Sequence, residues 1–446
     1  LACYYIAPKG WRNAIALSGS LFFYAWGEPV FVFVLSGLSF ADYLISQPLA
    51  QSQGRAQKFW LSLGLTLNLS VLIWYKYIGF LSQQFLSLGF LNSLPFKDQI
   101  LPLGISFFTF QKMSYLIDVY RHKTKPCPGF VSYLLYVSLF PQLIAGPIVR
   151  YHDIATQLLK RRLSLAAFNS GIHRFGLGLG AKVLIANPLG EAADFIFKHA
   201  TEMQSSTDYW FGLLCYGFQI YFDFSGYSHM AIGLGLMMGF NFPENFNRPY
   251  LATSITDFWR RWHISLSAWM HQYLYISLGG NRVAPMRTIL NLWLVFLISG
   301  FWHGASWNFI LWGAFHGLFL SLEKFLPQAG FQIPSGLRRI IIFIIILQGW
   351  VLFRTETLAE AQYWFTHLYT LPAQLNPLLF RELHMSKLLT LLGLATLISF
   401  APLLSTFKSK PNATTPLALS FSLFLILLAT LSLANASYNP FIYFRF

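Results

Sequence analysis

Residues 288–322, TILNLWLVFLISGFWHGASWNFILWGAFHGLFLSL, run for 35 positions without one Asp, Glu, Lys or Arg. An α-helix needs about 20 largely apolar residues, at 1.5 Å each, to cross the hydrocarbon of a bilayer. The stretch therefore reads as two membrane helices, or one broken pair, turning around Gly300 to Gly304. The pattern recurs outward from it, with 34 uncharged residues between Lys410 and Arg445 and 20 between Lys387 and Lys408. Of the 446 residues, 55% are hydrophobic and 11% charged, against roughly 25% charged in a soluble domain. So few charges cannot clothe a water-facing surface. The fold expected is all-α, a polytopic transmembrane helical bundle forming a single membrane domain over 1–446.

The formal charge of +15 is scattered in short groups between apolar runs. That pattern fits loops held on the cytoplasmic side by charge bias and gives no continuous face for nucleic acid. Cys3, Cys127 and Cys215 form no CxxC or metal-spaced group. Leu1 opens inside apolar sequence, and the first turns of a leading helix are expected ahead of it.

Apolar segments are expected at 13–27, extending through 31–40, and at 59–75, 100–116 and 168–185. Others are expected at 209–222 and 224–240, separated by Asp223, and at 340–353, 388–404 and 417–433. The total is eight to twelve spans, with 386–435 as the C-terminal membrane helices. Residues 130–148 contain Pro141, Gly146 and Pro147 and are flanked on both sides by basic groups, Arg121 to Lys125 and Lys160 to Arg162. Entry and exit on one face are expected, a re-entrant element whose broken backbone is covered by protein. Residues 257–276 place Phe258, Trp262, Leu266, Trp269 and Tyr273 on one helical stripe, with Arg260, Arg261, His263, His271 and Gln272 elsewhere. Loops are expected at 95–99, 126–129, 241–249 and 372–377. Gly176, Gly178 and Gly180 lie in an apolar run, where small residues mean close helix packing.

Three blocks carry more polar and glycine residues than membrane helices require. In the first, Asp223 is an ionisable group in apolar sequence, expensive there and functional by default; the alternative is a carboxylate that joins helices through Tyr or Ser hydroxyls. In the second, Arg260 and Arg261 precede His263. Guanidinium groups suit phosphate oxygens, or they snorkel to headgroups. The third, Gly300 to Asn308, holds Trp302 and His303, with His316 thirteen residues on. Deep in a bilayer a neutral imidazole is the cheapest general base. On one straight helix His303 and His316 point about 220° apart, so only one faces a given cavity unless Gly304 or Gly313 marks a break. His303 is the better candidate, because its flanking glycines permit close approach. There is no HExxH and no His pair at i, i+4, and no metal site is expected.

In their order and spacing these blocks resemble the membrane-bound O-acyltransferase family, in its bacterial branch that resembles the alginate O-acetylation protein. The matching text includes Leu101 to Phe107, Pro141 to Pro147, Gln219 to Gly226, Phe258 to Leu266, Tyr273 to Ile276, Gly279 to Arg282 and Phe301 to Trp307. It defines a motif-bearing core of 11–355. The resemblance implies helices around a central tunnel, with re-entrant pieces, and acyl transfer from a thioester to a hydroxyl. It places the family's catalytic histidine, in Trp-His-Gly, on His303 and the second polar position on His263. Arg260, Arg261, Asp223, Trp302 and Asn308 become candidates for donor binding or the tunnel wall, with His316 secondary. The implied donor is acetyl-CoA, used as a substrate with no bound cofactor. The implied acceptor is an alginate-like exopolysaccharide beyond the cytoplasmic membrane, and the implied partner is a periplasmic or membrane-anchored SGNH-type acetyltransferase. One departure is visible: His271-Gln272 stands where relatives carry Arg-Asp, and Ser277 where they carry Pro. Competing readings are D-alanyl transfer to a wall polymer, a transporter or flippase using Asp223, His263 and His303 as a polar path, and a structural scaffold.

Overall fold

The computed structural model describes residues 1–90, 93, 96, 99–203, 205–325, 334–370, 383–400 and 415–434. The expected loop at 372–377 and most of that at 95–99 lie outside them. Among the described residues the chain is helical and contains no strand. Five helices among the described residues are long and apolar enough to cross a membrane: Phe31–Gln51, Gly54–Ser87, Pro285–His303, Ser335–Arg354 and Pro416–Ala434. The last is nearly bare of protein contact, and the exposed Leu417, Phe421, Leu427 and Leu431 mark it as a lipid-facing helix. Contacts group the chain into two units, residues 1–171 with 231–243, and residues 172–230 with 244–446.

In the first unit the Ile105–Tyr120 helix is buried almost throughout. Its N-cap, Gly104, has φ +74°, and a Cβ there would lie 2.6 Å from the Leu143 carbonyl oxygen, so only glycine fits. Lys112 on this helix is fully buried and lies 3.4 Å from the equally buried Asp42 of Phe31–Gln51. Asn68 donates to the other Asp42 oxygen at 2.8 Å. A charge in an apolar interior survives only when matched and hydrogen-bonded in this way. The 13–40 segment is two helices, Arg12–Gly27 and Phe31–Gln51, because Glu28 and Pro29 stop the first before the second begins. Residues 130–148 break at Leu139 into Phe130–Ser138 and Phe140–Leu143. Nine residues rise about 13 Å, well short of a bilayer's hydrocarbon thickness.

In the second unit two expectations are corrected. Asp223 does not divide two segments: Ser206–Met237 is one helix of 32 residues. Lys182 lies 3.0 Å from the Asp223 carboxylate and donates to Asn187 at 2.7 Å, so the acid is matched across helices and the backbone need not open. The glycines expected to pack helices do so, for a Cβ on Gly176 would meet the Ser422 carbonyl oxygen and one on Gly178 that of Gly226. The second correction concerns 257–276, which is no single helix. It comprises Ile255–Trp259, a turn, Ile264–Trp269 and a π-helical turn, Met270–Tyr275. The core is aromatic: Trp312, Trp350 and Trp364 are all but fully buried, and Trp364 stacks on Phe197 at 3.8 Å. Trp364 belongs to a helix, Leu358–Thr370, for which the sequence carried no motif.

Candidate active site

The uncharged stretch folds as a hairpin. Pro285–His303 ends on His303, residues 304–306 turn, and Trp307–Phe325 returns against it. The two helices touch at Gly300 and Gly313, where a Cβ would collide with the carbonyl oxygens of Phe309 and Phe296. His303 and His316 are thus on different helices, and the one-helix geometry that set them on opposite faces does not apply. Trp312 stands between them, edge-on to His303 at 5.1 Å and to His316 at 4.9 Å. Phe353 closes another side of His303 at 5.2 Å. His303 is 5% exposed and sits at the carboxyl end of its helix, where the aligned peptide dipoles favour positive charge.

His263 reaches this region from the turn after Ile255–Trp259. Its backbone is left-handed, φ +43°, uncommon for a residue other than glycine. The cause is visible in the backbone bonds: Asn247 N–H donates to Arg261 O at 2.8 Å and Ile264 N–H donates to Asn245 O at 2.9 Å. This pairing with loop 245–247 draws residues 260–263 out of the helix. The His263 side chain is fully buried, with Nδ1 3.1 Å from Asn245 Oδ1 and the ring edge-on to Phe224 at 4.7 Å. Its Nε2 is buried with no hydrogen-bond partner among the described residues, a state that costs about 1–3 kcal/mol when nothing fills it. Trp302 packs on both imidazoles, 4.9 Å from the His303 ring and 6.4 Å from that of His263.

A cavity of about 880 Å³ is lined by chain neighbours of these groups, and neither imidazole nor Trp302 is itself part of its wall. Its apolar wall includes Ile264, next to His263, and Leu292, Val295, Phe296 and Leu320. Ser299, one helical turn before His303, also lines it. Arg260, His271 and Lys324 supply its basic groups. Glu323 lines it too, but its carboxylate is committed to the N–H groups of Ile255 and Thr256 and to the Thr256 hydroxyl. The cavity therefore offers an anionic ligand basic groups together with an apolar wall.

The candidate residues separate by role. Arg260 faces the cavity, whereas Arg261 pairs with Asp257 at 2.8 Å and anchors the turn. Asn308 spends its amide nitrogen on Thr355 O, Thr355 Oγ1 and Thr357 O, clasping the hairpin to the end of Ser335–Arg354. Asp223 is held by Lys182. His316 accepts from Trp259 Nε1 at 3.4 Å, and Trp259 forms part of the cavity wall. Sequence reading missed Asn245, Trp259, Trp312 and Lys324. Among the described residues no three His, Cys, Asp or Glu side chains come together as a metal would require.

Residues 59–329 match the profile of MBOAT, the membrane-bound O-acyltransferase family. The chain is 43% identical over 368 residues to "Probable alginate O-acetylase AlgI" of Pseudomonas aeruginosa, a match covering 81% of this chain and 70% of that protein. A protein of the same name from Pseudomonas putida is 38% identical over 477 residues, covering 100% of this chain and 97% of its own. The "Peptidoglycan O-acetyltransferase" of Helicobacter pylori is 40% identical over 386 residues, covering 79% of this chain and 72% of its own.

Proposed function

This chain belongs to the membrane-bound O-acyltransferase family and is a multi-pass membrane enzyme, and from that premise we propose that it acetylates hydroxyls of an extracytoplasmic polysaccharide, using acetyl-CoA as donor and His303 as general base. The observation that carries the reading is the pair of buried imidazoles, His303 and His263, packed on one indole, whose chain neighbours Ser299 and Ile264 line a cavity that Arg260 and Lys324 also line. Arg282, Arg287, Lys324, Arg338 and Arg339 cluster in sequence around the ends of consecutive helices, and His303 lies at the other end of Pro285–His303. Charge bias assigns the basic ends to the cytoplasm. Donor phosphates then meet Arg260 and Lys324 on the side where acetyl-CoA is made, and the thioester reaches along the apolar wall toward Ser299 and His303.

In the reaction the acceptor O–H gives its proton to a ring nitrogen of His303 while the oxygen attacks the thioester carbonyl carbon. The C–S bond breaks, an ester forms, and coenzyme A leaves as a thiolate that takes the proton back. The imidazolium formed midway is favoured at a helix carboxyl end. General-base assistance contributes about 100- to 10,000-fold. His263, whose buried Nε2 has no partner among the described residues, holds the acceptor through a hydroxyl. The acceptor is an alginate-like or wall polysaccharide, and an SGNH-type partner completes delivery outside.

The test is transfer of labelled acetyl groups from acetyl-CoA to polysaccharide by purified protein in lipid discs. Ester formation that disappears with His303→Ala supports the reading. Movement of polymer or lipid without thioester loss would establish a transporter instead. Mass spectrometry of the exopolysaccharide from a deletion strain then names the sugar that carries the ester.

A further inference from the structure

Resting on the acyl-transfer reading above, we infer that Asn245 is a positioning residue, one that fixes His263 in its Nδ1–H tautomer and so leaves Nε2 as the atom that meets the acceptor. The argument starts from a group whose proton is certain. The backbone N–H of Ser265 can only donate, and its partner is the side-chain oxygen of Asn245 at 3.2 Å. The Ser265 hydroxyl points to the same oxygen at 2.8 Å. At the other end of the amide, Asn245 Nδ2 donates to Ser228 Oγ at 3.0 Å. Turning the amide over would set its NH2 against a backbone N–H, so the oxygen must stand where it does.

That oxygen has no proton to give. His263 Nδ1, 3.1 Å from it, therefore carries the hydrogen of this contact. A neutral imidazole has one N–H, which leaves Nε2 with a bare lone pair. Both residues are fully buried, so water does not scramble the tautomers. The backbone bonds of 245 to 264 and 247 to 261 hold the two side chains at fixed separation, and they impose the left-handed φ of His263. The main chain of 245–247 thus sets the backbone turn, and the Asn245 side chain sets the ring direction and the proton position of His263. It acts through His263 and need not touch substrate.

Two variants test this, Asn245→Asp and Asn245→Ala. Asp keeps an oxygen for Nδ1–H and for Ser265; Ala removes it. The 15N resonances of the two His263 ring nitrogens, assigned by difference with His263→Gln, report the tautomer without any need for turnover. The wild type is expected as Nδ1–H, Asp the same, and Ala as a mixture with Nε2–H. In acetyl transfer Ala is expected to lower kcat by about tenfold or more with KM for acetyl-CoA unchanged, as a displaced tautomer does in other histidine sites. Asp restores kcat to within about threefold of the wild type. An Nε2–H signal in the wild type overturns the inference, as does a kcat that stays at the wild-type level while the tautomer moves. Should the alanine variant fail to fold, a His263 ring in the folded Asp variant that carries its single proton on Nε2 overturns it equally. A wild type that transfers no acetyl group refutes the acyl-transfer reading instead, while the nitrogen spectra still decide whether Asn245 sets the tautomer.

Discussion

His303 and His263 sit in the same aromatic cluster, yet the chain delivers them by opposite means. His303 is the last residue of a regular helix whose partner lies immediately after it in sequence. Its place follows from a short turn and from two glycines that let the helices touch. His263 stands in a turn that belongs to no regular element, held by a loop eighteen residues earlier. One site is built by local order and the other by a tertiary clasp. The difference teaches where strain is placed: the helix end is unstrained, while the clasp keeps a left-handed histidine and a buried lone pair. Such features persist where the surrounding structure over-determines them, and they cluster at functional sites.

The sharpest break of this comparison comes from His303→Ala. Turnover per folded molecule is expected to fall by at least about 100-fold, because the base is gone. Insertion and acetyl-CoA binding are expected to stay close to the wild type, since the helix end needs no imidazole to fold. Near-wild-type turnover, measured with protein amount and melting followed in parallel, would remove His303 from the chemistry. His263→Ala is expected to cost less, about ten- to 100-fold in turnover, the worth of one strong hydrogen bond to the reacting group. It is also expected to melt lower, because the clasp loses its buried ring. Reduced melting with unchanged turnover per folded molecule would reduce the turn to a scaffold.

The same contrast explains what the sequence made legible. Helices facing lipid announce themselves by apolar length, and the 288–322 hairpin was readable to within a few residues. The polar island around His303 stood out because nothing charged lies near it. The segment 257–276 misled because its apolar residues do fall at helical spacing, while the bonds that break the helix come from Asn245 and Asn247, which no periodicity includes. Asp223 misled for a related reason. Its neutralising partner, Lys182, is 41 positions away, and that pairing lets the carboxylate sit inside a continuous helix. Pairings distant in sequence decide both cases, and hydropathy carries no record of them.

Arg260 and Arg261 extend the comparison to the cavity. A sequence reading in which at least one arginine meets donor phosphate now has a specific form, since Arg261 is engaged with Asp257 and with Asn247 O. Arg260→Lys keeps the charge but loses the planar fork, and affinity for coenzyme A is expected to fall about tenfold. Arg261→Lys should leave that affinity within about twofold, since this half-buried pair is engaged away from the ligand and supports the turn by about 1 kcal/mol or less. Titration calorimetry with coenzyme A separates the two, and equal losses would place both arginines on the ligand.

The smallest effect is expected at His316, and it decides which histidine of the hairpin carries the proton. The break at Gly304 brings His316 to the far side of Trp312 from His303, so direction alone does not dismiss it. Its contacts do. Nδ1 accepts from Trp259 Nε1, which assigns the ring proton to Nε2, and Nε2 faces Gly349, where a Cβ would lie 3.2 Å away. Phe296, Phe315 and Trp312 surround the remainder of the ring. A histidine so enclosed has no free lone pair for a hydroxyl; what it does is hold Trp259 in the cavity wall. His316→Phe keeps the volume and the ring contacts and removes only the acceptor. Turnover is expected to fall about two- to fivefold, and stability by about 1 kcal/mol for the indole N–H left without its long bond. The measurement is acetyl transfer at saturating donor beside thermal melting. A loss as large as that of His303→Ala, with melting unchanged, would move the general base from the end of the first hairpin helix to the middle of the second.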